Sequence, residues 1–238
     1  MFDATSSLSQ SAVQPRVEIR PLLRQVYMWM TLGLLTTTGV SVLVYNIPAL
    51  QQLVMNPAIL IGAIIGQLAL VFGLSLAIRR MSAGAATTAF FVYAGLNGFT
   101  LSLIFLVYEL GTITIAFGTT VILFFVMTMI GLTTSIDLTK YRTYFMMALI
   151  GLLIAMVVNV FLGSGPLDYI ISFAGVVIFT ALTAYDTQKI HQMAADPEIQ
   201  GQEATLLTKI SILGALTLYL DFINLFLFLL RLFGGGRD

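Results

Sequence analysis

Asp221 stands in the middle of an otherwise apolar run, residues 210–233, within the segment Leu216-Thr217-Leu218-Tyr219-Leu220-Asp221-Phe222-Ile223-Asn224. A carboxylate at the centre of a bilayer costs roughly 2.5–3.5 kcal/mol on insertion scales, so it needs a proton, a cation, a partner or water. A second acid, Asp186, follows another apolar run in Thr183-Ala184-Tyr185-Asp186-Thr187-Gln188-Lys189. Two carboxyls that share a low-dielectric site cannot both be charged cheaply, and they titrate as a coupled pair. Protonated, such a pair can hold two helices together through a shared proton. Deprotonated, it repels or recruits a cation, and calcium accepts oxygen ligands in flexible geometry. Asp186 and Asp221 are therefore the candidate pH sensor and gate, and the candidate calcium ligands. Asp186 also reads as an interfacial residue touching Lys189 at i+3.

The neighbouring polar residues form a stripe. Asn224 lies at i+3 from Asp221 and Thr217 at i−4, on one helix face that must meet protein or water. Interhelical hydrogen bonding, worth about 0.6–2 kcal/mol per contact in membrane bundles, is the competing reading of that stripe. Gln67, Asn97 and Asn159 are single amides within apolar runs and read as packing groups, whereas Glu109 reads as a solvated helix end. Arg79 and Arg80 close the second apolar run. They read either as topological anchors or as a counter-ion that turns inward to Asp186 or Asp221 when the acids lose their proton. Gly62 and Gly66 form a GxxxG face for close packing, and Phe145-Met146-Met147 reads as core or lipid contact.

The elements that must position these groups are membrane helices. The 238 residues are 58% hydrophobic and only 9% charged, against roughly 25% charge in an ordinary soluble domain. A span needs about 20 apolar residues to cross a hydrocarbon core of roughly 30 Å. Residues 26–45, 58–78, 85–108, 112–132, 144–162, 168–184 and 210–230 qualify. Residues 1–24 read as a disordered polar tail without a cleavable signal, and residues 25–238 as a single transmembrane domain. Asn56-Pro57 is a helix start, with Asn capping and Pro at the first helical position, and Asp196-Pro197-Glu198 suggests a short helix in the loop after the sixth span. The absence of cysteine excludes a disulfide or thiolate metal site, and the single histidine, His191, cannot build an imidazole zinc site. Zero formal net charge gives no reason to expect a nucleic-acid partner.

Basic residues set the orientation. Arg16, Arg20, Arg24, Arg79, Arg80, Lys140, Arg142, Lys189 and Lys209, nine of the eleven, fall on one side of seven alternating spans. The other side holds only Arg231 and Arg237. The positive-inside rule then puts the N-terminus in the cytoplasm and the C-terminus outside. With these boundaries Asp221 lies about ten residues, roughly 15 Å, deeper than Asp186, so pairing requires a longer sixth helix or a shorter inner half of the seventh.

The stretch Ser211-Ile212-Leu213-Gly214-Ala215-Leu216-Thr217-Leu218-Tyr219-Leu220-Asp221-Phe222-Ile223-Asn224-Leu225-Phe226, followed by Leu229-Leu230-Arg231-Leu232-Phe233-Gly234, resembles the signature of the Bax inhibitor-1 family, with its bacterial YccA-type branch fitting best. Ala184-Tyr185-Asp186 is similar to the family's second acidic position, and Arg79-Arg80 and Gly98-Phe99-Thr100-Leu101 resemble its second and third helices. The resemblance implies an all-α seven-helix bundle with the last helix central and no enzyme activity. It implies a pH-sensitive calcium leak channel, or proton-coupled calcium transporter, in the bacterial inner membrane. In that pattern Asp186 and Asp221 form the sensor, Arg79 or Arg80 exchanges partners on opening, and Asn224, Tyr219 and Tyr185 support the site. No tightly bound cofactor is implied. Calcium and protons are the transported or sensed ions, and the lipid bilayer is the surrounding partner. Some members carry an acid in the second helix, where this chain has Gln67.

Two other classes compete. An intramembrane aspartyl protease also pairs acids on adjacent helices, but it wants Gly-x-Gly-Asp where this chain has Leu218-Tyr219-Leu220-Asp221, and Pro48-Ala49-Leu50 precedes both acids. The alternative with more weight is a non-transporting regulator that binds another membrane protein, such as a membrane-bound protease or a stress-response factor, with the acid pair as a conformational lock.

Overall fold

The computed structural model describes residues 20–78, 80–200 and 203–235. Ten α-helices follow one another: α1 (Arg20–Asn46), α2 (Pro48–Met55), α3 (Pro57–Ala77), α4 (Ala83–Leu101), α5 (Ile104–Val107), α6 (Leu110–Thr133), α7 (Arg142–Leu162), α8 (Gly165–Ala195), α9 (Pro197–Gln200) and α10 (Ala204–Gly234). Among the described residues there is no strand. Seven segments are long and apolar enough to span a membrane, with α4 and α5 together making the third. The chain is an all-α membrane protein.

Local chemistry explains where the helices begin and break. The Asn56 side chain accepts from Ala58 N at 3.0 Å with Pro57 as the first helical residue, and Ser82 and Ser164 cap α4 and α8 in the same way. Asp196 accepts from Glu198 N at 2.9 Å and opens the short α9 expected there. The third span breaks at Ser102, whose hydroxyl donates to Phe99 O at 2.6 Å and competes with the helical ladder. Helix α1 starts at Arg20, inside the stretch read as a polar tail, and residues 1–19 of that stretch lie outside the described residues.

Helix α10 is the axis of the molecule. Its most apolar window is 72% buried, whereas the windows of α3 and α7 are each 6% buried and face lipid. Helices α1, α4, α6 and α8 pack around α10, with α3 leaning on α4 and α7 on α8. Two apolar clusters fill the bundle, one of α1, α4 and α10 around Phe90, Leu216 and Tyr219, the other of α6, α8 and α10 around Phe179, Leu225 and Phe228.

Close helix approach occurs at glycines other than the GxxxG pair. A Cβ at Gly98 would strike the backbone of Thr37, one at Gly131 the carbonyl of Ala184, and one at Gly175 the Phe228 ring. Gly62 has nothing within 4 Å of such a Cβ, and Gly66 has only Leu96 at 3.6 Å, because α3 lies at the lipid-facing rim. The Gly62/Gly66 packing face is therefore not used. Met146 and Met147 face outward, while Phe145 turns in against Tyr185 with ring centroids 5.0 Å apart.

Candidate functional site

The middle of α10 carries Thr217, Asp221 and Asn224 on one face, as 3.6-residue spacing requires. That face meets α8. Gly214 stands against Ile190, and Gly175 against Phe228, which fixes the antiparallel register of the two helices. In this register Asp186 stands opposite Thr217–Leu218, and Asp221 opposite Leu182–Thr183. The axial offset of the two acids is about three to four residues, roughly 5 Å.

The expected depth mismatch of ten residues shrinks for one reason. Helix α8 does not stop at Ala184 but runs on to Ala195, 31 residues in all, about 46 Å. The polar segment from Asp186 to Gln192 lowers hydropathy without breaking the helix. Gln188 secures this extension, accepting from Leu138 N at 2.7 Å and donating to Ile136 O at 2.8 Å, so the α6–α7 loop is clamped to it. In that loop the Thr139 hydroxyl, which donates to Asp137 at 2.6 Å, is the largest of the contacts that hold the Asp137 carboxyl below its ordinary value. In the sequence Gln188 is inconspicuous, since a glutamine after an apolar run carries no signal of its own.

Asp186 and Asp221 line one cavity of about 410 Å³ between α7, α8 and α10, together with Tyr185, Lys189, Thr217 and Asn224. Both acids are withdrawn from the surface, at 8% and 4% exposure. Asp221 Oδ2 is buried without a hydrogen-bond partner, an arrangement that calls for a proton, water or a cation. Asn224 donates its NH2 to Leu220 O at 2.8 Å, which leaves its carbonyl oxygen available to the cavity. Among the described residues no group of three acidic or histidine side chains converges, so any cation here would be held by two carboxylates with amide and hydroxyl oxygens.

Of the cations near the acids, Lys189 is the one expected at i+3 from Asp186 and Arg142 is not. Lys189 Nζ lies 4.0 Å from Asp186 Oδ1, half-exposed at the cavity edge, and Arg142 at the start of α7 lines the same cavity. Arg80 is exposed and is neither within ion-pair distance of the acids nor on the cavity wall. Arg79 lies outside the described residues. The distinction is geometric: Arg80 stands exposed in the turn between α3 and α4, whereas Lys189 is one helical turn from Asp186.

Tyr185 packs at the cavity wall, but Tyr219 serves the opposite face of α10. Thr37 donates to Ala94 O at 2.9 Å, so the 2.6 Å contact between Thr37 and Tyr219 is a bond donated by the tyrosine. Tyr219 is enclosed by Phe90 and Tyr93 and ties α10 to α1 and α4. On the α6 side of α10, Phe117, Phe124, Phe222 and Phe226 interlock edge to face at 5.5–6.1 Å, an aromatic layer that begins beside Asp221.

This architecture agrees with the comparison of the whole chain. The family model described as "Inhibitor of apoptosis-promoting Bax1" matches residues 19–238. The chain belongs to the Bax inhibitor family. Among its relatives, inner membrane protein YbhL of Escherichia coli K12 is 47% identical over 230 residues, covering 96% of this chain and 97% of YbhL. A protein of Deinococcus radiodurans is 39% identical over 221 residues, covering 93% of each chain, and one of Borreliella burgdorferi is 39% identical over 239 residues, covering both chains fully. These Bax inhibitor relatives are bacterial, and the match spans all seven membrane helices as well as the tail motif around Asp221.

Proposed function

We propose that this Bax inhibitor family protein is a pH-sensitive calcium leak, channel or proton-coupled, of the bacterial inner membrane. Asp186 and Asp221 are its gate, and calcium and protons are the ions it handles. The observation that carries the reading is the shared cavity: two carboxyls from the adjacent helices α8 and α10, offset by about one helical turn, with Asp221 Oδ2 unpaired. A protonated pair keeps α8 against α10. A deprotonated pair repels, and the site then takes a divalent cation or separates the helices. Lys189 and Arg142 are the nearest cations available to the ionised acids, in the role first assigned to Arg79 and Arg80. The protein is not an enzyme in this reading and holds no tightly bound cofactor.

A second reading draws on the aromatic layer. Phe222 and Phe226 lock α10 to α6 through Phe117 and Phe124, with Leu225 fully buried beside them. A regulator without transport would keep that packing, and would use the acid pair as a conformational lock for binding another membrane protein such as a membrane-bound protease.

Calcium flux into proteoliposomes of the purified full-length chain separates the two. The leak predicts flux that changes steeply with pH between about 5 and 8, the window in which a perturbed buried carboxyl pair can exchange its proton. Folded protein with no flux above empty liposomes at any pH in that window leaves the regulator.

A further inference from the structure

At the opposite end of the bundle from the acid pair, α7, α8 and α10 leave a cleft of about 420 Å³. It is lined by Asn159 near the end of α7, Asp168 in the first turn of α8 and Arg231 in the last turn of α10. These three helix ends share one membrane boundary. A negative charge at a helix N-terminus and a positive one at a C-terminus each complement the helix dipole. That accounts for each residue alone and not for their convergence on one cleft. Among the described residues, Asp168 and Arg231 have no ion-pair partner within 4.0 Å, including each other. Arg231 instead rests over the Phe228 ring, 5.8 Å from its centroid, which holds the guanidinium in place. The Asn159 carbonyl accepts from Ser164 N at 3.1 Å, which leaves its NH2 free to donate. The remaining wall is apolar and turned outward: Val160 is 82% exposed, with Leu153 and Val157 also on the surface that faces hydrocarbon.

We propose that this cleft binds a phospholipid with a primary-ammonium headgroup: Arg231 and the Asn159 amide take the phosphate, Asp168 takes the ammonium, and an acyl chain lies along Leu153, Met156 and Val157. A free anion would use Arg231 alone and a free cation Asp168 alone. Two unpaired opposite charges beside a hydrocarbon-facing wall match a zwitterion carrying its own chain. The carboxylate selects a primary over a quaternary ammonium. Quaternary groups are held by aromatic cages, and among the described residues no aromatic side chain lines this cleft, whereas –NH3+ donates charge-assisted hydrogen bonds to a carboxylate.

The test is native mass spectrometry of the full-length protein, titrated with phosphatidylethanolamine, phosphatidylcholine and phosphatidylglycerol of identical acyl chains, and with water-soluble glycerophosphoethanolamine. The wild type should retain phosphatidylethanolamine about tenfold better than phosphatidylcholine, the size of one charge-assisted hydrogen bond. Asp168→Asn should abolish that preference and leave phosphatidylcholine binding unchanged, and Arg231→Gln should weaken all three lipids. Equal retention of the first two lipids by the wild type overturns the proposal without recourse to any variant. So does a preference that survives Asp168→Asn. Displacement of the lipid by glycerophosphoethanolamine at equal concentration overturns the lipid as ligand in favour of a soluble headgroup.

Discussion

At the scale of single residues, the acids were conspicuous because a charge in an apolar run has few inexpensive explanations. Asp221 is buried with one oxygen unpaired, and Asp186 faces the same cavity from α8. The cations were legible only in part, through the i+3 spacing of Lys189 from Asp186. Arg80, Lys140 and Arg142 are among the basic residues at cytoplasmic helix ends in the positive-inside reading, and only tertiary packing tells that Arg142 flanks the acids while Arg80 does not. If the two carboxyls act as one titrating unit, removing either removes the unit. Asp221→Asn and Asp186→Asn should then each blunt the pH dependence of calcium flux, and the double variant should be little worse than either single one. Flux profiles of the four proteins measured side by side decide this. Additive losses would mean two separate sites.

At the scale of elements, helix count and type followed from hydrophobic runs and caps, but helix ends did not. Helix α8 outlasts its apolar stretch because Asp186, Gln188 and Gln192 are compatible with helical backbone and find partners in the α6–α7 loop and the cavity. Nor was it legible which glycines bring helices together, since any small residue can serve and only the neighbour's position chooses among them. Gly131 of α6 lies against the Ala184 carbonyl and the Thr187 side chain of α8, one turn or less from Asp186. An added methyl there cannot be met by a side-chain rotation, because backbone is in the way, so α6 and α8 must part. Gly131→Ala should cost about 1–3 kcal/mol, the range of overpacked cores. Gly62→Ala meets open space and should be neutral or stabilising by up to about 1 kcal/mol through helix propensity. Unfolding of the purified variants in detergent reads both, and equal effects at the two sites would sink the assignment of Gly131 as a close-packing point.

At the scale of the whole molecule, the bundle is organised so that α10 is the helix the others enclose. Helix α10, 31 residues and about 46 Å long, outreaches a hydrocarbon core of roughly 30 Å and joins the acid cavity to the cleft beside Arg231. Seven alternating spans put the α1 start, the α3–α4 and α6–α7 turns, the α8 end and the α10 start at one face. Arg24, Arg80, Lys140, Arg142, Lys189 and Lys209 all stand at that face, while the α2, α5–α6 and α7–α8 connections at the other carry no Lys or Arg. Because Lys and Arg resist translocation, the cation-rich face with the acid pair should be cytoplasmic, and the end of α10 with Arg231 should lie outside. Arg231 and Arg237 are the two residues that oppose this orientation. Both follow the last span, where the earlier helices have already set its direction. Fusing alkaline phosphatase to the C-terminus of the full-length chain should give active enzyme, and a fluorescent protein at the same place should stay dark when exported in unfolded form. A bright C-terminal fluorescent fusion with inactive phosphatase would turn the molecule over. The acid pair would then sense the pH of the outer compartment instead of the cytoplasm.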